Sequence, residues 1–318
     1  MIKWFKRFII GILVLVGFGV ISFHQPFLNQ HVLKPLWIPM IPYVQSAIIR
    51  FYIEPFNDGA SVDADHVIST MDNGMPIVVN KHDRCVCWSI RFRGLWDSSE
   101  MAVIKNLIKP GFKIIEAGAN FGVHTLSMAK IVGENGHVYA FEANPHVSKY
   151  LKQSIFDLNH LTNVTLYEKG LGDQAKSLFL NFGLANIGGG TLANEDSGTS
   201  VKTEIVRLDD ALKDIKVDML KMDTEGYEGK ILEGAQDILK NNPDMIIMME
   251  WSQDALRAQG SDPKSILENL ASHGFDKIWK IGERRSKEEG TLFPLTMEEV
   301  LNIPYCDLVL SRRDLNVQ

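Results

Sequence analysis

Cysteine is scarce in this sequence, with only Cys85, Cys87 and Cys306 among 318 residues. No CxxC pair occurs, so neither a disulfide framework nor a common zinc spacing is present. Free thiols accord with a reducing compartment. Positive charge is also in short supply: 33 Lys and Arg stand against 39 Asp and Glu, a net of −6. That balance argues against a nucleic-acid partner held through bulk charge. Repeated long apolar runs are missing, and with 45% hydrophobic and 23% charged residues the composition is that of a globular chain. Acid is absent from the first fifty residues, where Lys3, Lys6, Arg7, Lys34 and Arg50 are the only charges, while the rest of the chain carries −11. A basic, apolar head on an acidic body suggests two environments.

What the head does contain is an uncharged run of 16 residues, Phe8 to Phe23. As a helix it would be roughly 24 Å long, and Trp4, Phe5 and snorkelling Lys6 and Arg7 extend it toward the thickness of a bilayer core. Ser22-Phe23-His24-Gln25-Pro26 lacks the small residues of a cleavage site. Residues 1–30 therefore read as a single uncleaved membrane anchor. Residues 31–60 are apolar but carry Pro35, Pro39 and Pro42, which disfavour a second regular span. They read as a linker or a membrane-surface segment with Trp37 and Tyr43 at headgroup level.

Residues 61–318 read as one catalytic domain, a β-rich lead-in over 61–110 and an α/β core over 111–318. In the lead-in, HVIST, PIVVN and CVCWSIRF alternate apolar and polar as strands do, and Asp72-Asn73-Gly74 makes a turn between the first two. In the core, strands are predicted over Phe112–Glu116, His137–Phe141, Val164–Glu168, Val217–Asp223, Met245–Glu250, Lys277–Ile281 and Cys306–Ser311. Helices are predicted over His124–Val132, along the 147–158 stripe, along the 231–239 stripe and over Ser265–Ser272. Such alternation gives a doubly wound, mostly parallel sheet, whose ligand sits beyond the carboxyl ends of the strands. Those ends carry Glu116, Glu142, Asp173, Asp223 and Glu250.

The first strand leads into Glu116-Ala117-Gly118-Ala119-Asn120-Phe121-Gly122, an E-x-G-x-x-x-G loop. Gly118 lets the backbone turn close to a ligand, and Gly122 lets the next helix start against the sheet. A dinucleotide fingerprint would need glycine where Asn120 stands. An acid before the loop suits a cationic ligand better than a pyrophosphate. Glu142 is placed to accept both ribose hydroxyls, and Asp173 to accept an adenine amine. Together these residues describe a nucleoside bearing a positive group, S-adenosylmethionine.

The runs IIEAGANFGVHTLSMA, HVYAFEANP, GLGD and VDMLKMDTEGYEGKILEGA, followed by a strand ending in Glu250, resemble the FkbM-type methyltransferases. The resemblance covers about residues 90–252, with KMDTEGYE its most distinctive part; the loop Gly188-Gly189-Gly190-Thr191 and Leu208-Asp209-Asp210 are also similar. It implies S-adenosylmethionine-dependent O-methylation on a Rossmann-like, seven-stranded sheet whose last strand, Cys306–Ser311, is antiparallel.

A hydroxyl acceptor must lose its proton. Asp223, Glu225, His124 and Glu250 are the candidate bases, and Lys221 is the ion-pair partner of Asp223. No His or Asn lies beside Asp223 and Glu225, so no metal is assigned. A sugar, a lipid-linked glycan or a secondary metabolite is the acceptor suggested by family and anchor together. S-adenosylmethionine is made in the cytosol, which places the catalytic domain there, on a membrane-attached chain whose basic residues meet anionic headgroups. An NAD-linked oxidoreductase and a non-catalytic, membrane-held binding module are the alternatives. The first is disfavoured by Asn120 and by the lack of a Tyr-x-x-x-Lys pattern, the second because every expected ligand position is filled by a suitable residue.

Overall fold

The computed structural model describes residues 65–183, 185–198, 200–282 and 288–315. The anchor expected over 1–30 and the segment expected over 31–60 lie outside the described residues. Among the described residues, no helix is long and apolar enough to cross a membrane.

The chain enters through a hairpin, β1 (His66–Thr70) and β2 (Pro76–Asn80), with Gly74 left-handed in its turn. Helices α1 (Val86–Arg93) and α2 (Ser98–Leu107) follow, then β3 (Lys113–Ala117), α3 (Val123–Val132), β4 (His137–Phe141) and α4 (Pro145–Lys152). A π-helical turn, Gln153–Leu158, carries α4 on to β5 (Val164–Tyr167). Four strands come next: β6 (Gly170–Leu171), β7 (Lys176–Gly183), β8 (Asn186–Ala193) and β9 (Val201–Val206). The chain then runs through α5 (Leu208–Ala211), β10 (Met219–Met222), α6 (Glu228–Glu233), α7 (Gln236–Asn241), β11 (Ile246–Ser252), α8 (Gln253–Ala258) and α9 (Pro263–Ser272). It finishes with β12 (Lys277–Ile281), β13 (Leu292–Leu295), α10 (Met297–Leu301) and β14 (Tyr305–Ser311).

The main sheet is ordered β13-β12-β14-β11-β10-β3-β4-β5. The five strands from β11 to β5 are parallel, and β14 runs antiparallel between β11 and β12. Successive side chains of a strand point to opposite faces, and the two cores follow that rule. Ile114, Val138, Met219, Met248 and Val309 pack on one face with Leu126 and Tyr150 of the first two crossover helices. Ile115, Leu220, Ile247 and Leu308 pack on the other with Ile231, Leu239 and Leu267.

Three expectations are corrected. The sheet has eight strands rather than seven, because β13 pairs with β12 at the edge. A separate four-stranded sheet, β6-β9-β7-β8, fills the stretch between β5 and β10, and the Gly188–Thr191 segment is part of strand β8 rather than a loop. In the lead-in, CVCWSIRF folds as α1 rather than as a strand. Val86, Cys87 and Ile90 are its buried face, Gly94 ends it in the left-handed conformation, and the buried Asp83 carboxylate accepts the Cys85 and Cys87 amides at 3.1 and 3.0 Å.

Candidate functional site

The site forms where β3, β4, β10 and β11 end. Gly118 turns the chain after β3 with φ +84°, and a Cβ there would lie 2.0 Å from the Asp223 carbonyl oxygen. The loop can thus lie this close to the end of β10 only with glycine. Gly122 holds φ +96° as α3 starts, with a Cβ position 2.4 Å from Leu151. Asn120, between them, is also left-handed, with φ 53°. Its amide donates to Glu142 Oε2 at 2.7 Å, and the Asn144 amide donates to Glu142 Oε1 at 2.7 Å. The Ala143 amide also donates to Glu142, and since a carboxylate has about four acceptor positions, Glu142 retains capacity for one more donor. Burial raises its pKa to about 7 against the pull of those amides.

Glu116 is fully buried and accepts from Thr125 Oγ1 at 2.5 Å, while its Oε1 has no hydrogen-bond partner. Burial raises its pKa to about 8 despite the nearby Lys221 ammonium. Lys221 stands opposite Glu116 across β10 and β3, wholly buried. Its Nζ lies 3.1 Å from Glu100 Oε2 and 3.6 Å from Asp223 Oδ2. These carboxylates hold its pKa above the ordinary lysine range against the effect of burial. The expected pairing of Lys221 with Asp223 is present, and Glu100 of α2 is the shorter contact.

Two cavities meet at Asp223 and Glu225, which line both. The first, on the Glu142 side, is bounded also by Gly118, Leu171, Gly190 and Tyr227. The second, about 220 Å³, is lined by six carboxyl residues: Asp97, Glu100, Asp223, Glu225, Glu250 and Asp307. Asp97, Asn120 and Glu225 border this second cavity, and all three hold left-handed backbones, a strain that tends to collect at working sites. Glu250 and Asp307 face each other across β11 and β14. Burial pushes both carboxyls well above the usual range, helped by repulsion from Asp223 at Glu250 and from Glu100 and Asp223 at Asp307. Tyr305, largely exposed at the cavity edge, is hydrogen-bonded to Glu250. Burial, with Asp223 next, also raises Glu225.

The remaining expected residues fall as follows. His124 is buried at the start of α3, lines neither cavity and lies 3.7 Å from Glu100 Oε2; burial, then Lys221, lowers its pKa to about 3. Asp173 does not line the first cavity and is ion-paired with Lys176 at 2.8 Å. Glu228, which starts α6, is buried and accepts the Thr224 amide and hydroxyl, both at 2.7 Å. Asp97, Glu100, Tyr305 and Asp307 were not anticipated. Asp-x-x-Glu before an apolar run signals only a helix start, and nothing in the sequence ties β14 to the end of β11.

A parallel sheet with an acid at the end of β4, a glycine turn after β3 and an antiparallel strand beside β11 defines a nucleoside-binding transferase fold of the Rossmann-like class. The chain belongs to the Methyltransferase FkbM domain family, which it matches over residues 116–277. S-adenosylmethionine is its cofactor.

Among curated proteins, it is 28% identical over 147 residues to "Methyltransferase 1" of Beauveria bassiana, a match covering 39% of this chain and 58% of that protein. It is 44% identical over 50 residues to the tRNA (adenine(58)-N(1))-methyltransferase TrmI of Thermus thermophilus, covering 16% and 19%. The chain thus spans under two thirds of the curated relatives it matches. Among solved structures, the methyltransferase FkbM of Methylobacillus flagellatus aligns with a TM-score of 0.41 at 15% identity, over 63% of this chain and 43% of that one. Fibrillarin of Aeropyrum pernix, solved with bound S-adenosyl-L-methionine, aligns with a TM-score of 0.38 at 13% identity, over 78% and 100%.

The residues present fit this cofactor. The turn at Gly118 is a cradle that a Cβ would fill, and Glu142 is a buried acceptor with spare capacity beside it. Glu142, Gly118 and Asn120 are the residues suited to hold the nucleoside.

Proposed function

We propose that this chain transfers a methyl group to a hydroxyl of an uncharged, polyhydroxylated acceptor, such as a sugar or a lipid-linked glycan. The observation that carries this reading is that Asp223 and Glu225 form the wall shared by the nucleoside-side cavity and the carboxyl-lined cavity. S-adenosylmethionine, when bound, supplies an electrophilic methyl group on a sulfonium. Asp223 and Glu225 are suited to orient the acceptor and take its proton, with Glu250 and His124 next to them. The six carboxyls of the second cavity, with no Lys or Arg among the described residues that line it, offer phosphate no counter-charge, which supports a neutral acceptor over a nucleic-acid backbone. They also accept hydrogen bonds from several hydroxyls at once. Family membership favours this reading over the nicotinamide alternative.

The domain boundaries drawn from the sequence belong to the same proposal: an anchor over 1–30, a proline-rich segment over 31–60 and a transferase domain over 61–318, attached to the membrane on its cytosolic side. Deleting residues 1–30 should release the protein from membranes and leave S-adenosylmethionine binding intact.

The catalytic assignment is tested with Asp223→Asn and Glu225→Gln, which keep shape and remove the base. Transfer from radiolabelled donor to a panel of glycans and glycolipids should fall about 100-fold or more in at least one variant, with calorimetric cofactor affinity little changed. Full activity in both variants would place the base elsewhere.

A further inference from the structure

We propose that the acceptor is at least two linked sugar rings long: the ring that receives the methyl group seats in the carboxyl-lined cavity, and its neighbour seats in a further cavity walled by Trp96 and Tyr305. This rests on the hydroxyl-transfer reading given above. The further cavity, about 390 Å³, lies between the turn into α2 and the sheet, where the last residue of β12 and the first residues of β14 line it. Trp96, Asp97, Glu100, Tyr305 and Asp307 line both this cavity and the carboxyl-lined one, so the two are adjoining parts of one groove.

Strand order sets the direction of that groove. The nucleoside-side cavity lies at the ends of β3, β4 and β10, the carboxyl-lined one at β10, β11 and β14, and the further one at β14 and β12. From β10 to β12 is three strand spacings, roughly 14 Å at about 4.8 Å each, which is longer than one sugar ring. The carboxyl-lined cavity alone, at about 220 Å³, is smaller than the roughly 300–1,000 Å³ usual for ligand sites. The further cavity supplies the missing room.

Its walls suit a second ring. A pyranose has an apolar C–H face with hydroxyls around its rim, and aromatic side chains cover faces of that kind. Trp96 is packed against the core, and Tyr305 is hydrogen-bonded to Glu250. Both are thus held before a ligand arrives, and little freedom is lost on binding. Tyr305 is nevertheless 60% exposed, the most exposed large hydrophobic side chain among the described residues. Ser99 also lines the further cavity; it is buried, and its Oγ has no hydrogen-bond partner among the described residues. An unpaired buried hydroxyl costs stability, and a sugar hydroxyl would pair with it. An acyl chain in the same place would cut Ser99 and the shared carboxyls off from water without pairing them.

The full chain is assayed with labelled donor on glucose, galactose and mannose, each as methyl glycoside and as homodisaccharide, and on the glycans of the panel above. The best acceptor is then compared with its own methylated ring alone. Its kcat/KM should be about tenfold or more higher than that of the single ring. Tyr305→Ala and Trp96→Ala should bring this ratio toward one, chiefly through KM of the longer acceptor, and Trp96→Phe should restore most of it. A merely structural role would lower both acceptors alike and leave the ratio intact; thermal melts report the folding of each variant. A ratio near one in the unmodified chain, or an unchanged ratio in folded Tyr305→Ala, overturns the proposal and leaves the transferase reading in place. Transfer to none of the sugars or glycans overturns the sugar-acceptor reading itself, and the longer acceptor with it.

Discussion

Glu142 concentrates the cofactor argument in one side chain. Three backbone amides already engage its oxygens, and one further hydroxyl donor would complete the set. A charge-assisted hydrogen bond contributes roughly 1.5–3 kcal/mol, so Glu142→Ala should weaken S-adenosylmethionine binding about tenfold to 100-fold by calorimetry. Only the ionised carboxyl accepts on every position. With a pKa of about 7, affinity should therefore decline as pH drops from 8 to 6, and Glu142→Gln should flatten that profile. Unchanged affinity in Glu142→Ala would remove Glu142 from the site. At this scale the sequence was partly legible. Glu142, Asp223 and Glu250, read from the sequence as strand ends, border the two cavities, and Glu116, read the same way, is buried beside Lys221. Asp97, Glu100 and Asp307 escaped because they reach the cavity from elements whose place is set by tertiary packing.

Among the elements, the loop after β3 has the least room for change. Gly118→Ala places a methyl 2.0 Å from the Asp223 carbonyl in a left-handed backbone. The loop or the end of β10 must shift, so stability to urea should fall by about 2 kcal/mol or more; an unaffected midpoint would mean the loop relaxes freely. The buried strands of the core were readable from their apolar runs and agree with observation to within a few residues. Helix α1 was misread because alternation over CVCWSIRF also suits a helix burying Val86, Cys87 and Ile90. The choice was made by Asp83, whose carboxylate caps the first turn. The 231–239 stripe is divided into α6 and α7, with Gly234 between them accepting the Asp209 amide. The sheet from β6 to β9 was missed because its glycine-rich strand β8 has little β-forming character.

Across the whole molecule, the buried acids couple stability to pH. Glu116, Glu142 and Glu228 have pKa values raised to about 8, 7 and 7, chiefly by burial, from an ordinary 4.5. Between 4.5 and 8 the native state keeps protons that the unfolded chain releases. Stability is therefore greatest at the acid side of this window and is lost as pH rises through it. The cofactor-free protein should melt at a higher temperature at pH 5.5 than at pH 8, and Glu116→Gln should narrow the difference. A melting temperature that climbs across this range would contradict the assignment. The strand order has a further consequence, for biosynthesis. Strand β14 is made after the seven others of its sheet, yet its place is between β11 and β12. While the ribosome is still adding it, both of those strands present unpaired backbone to each other across a vacant slot, an edge exposure of the kind that recruits other chains. The nascent domain must hold that slot open until β14 emerges, so a growing chain is most in need of chaperone protection just before β14 is made.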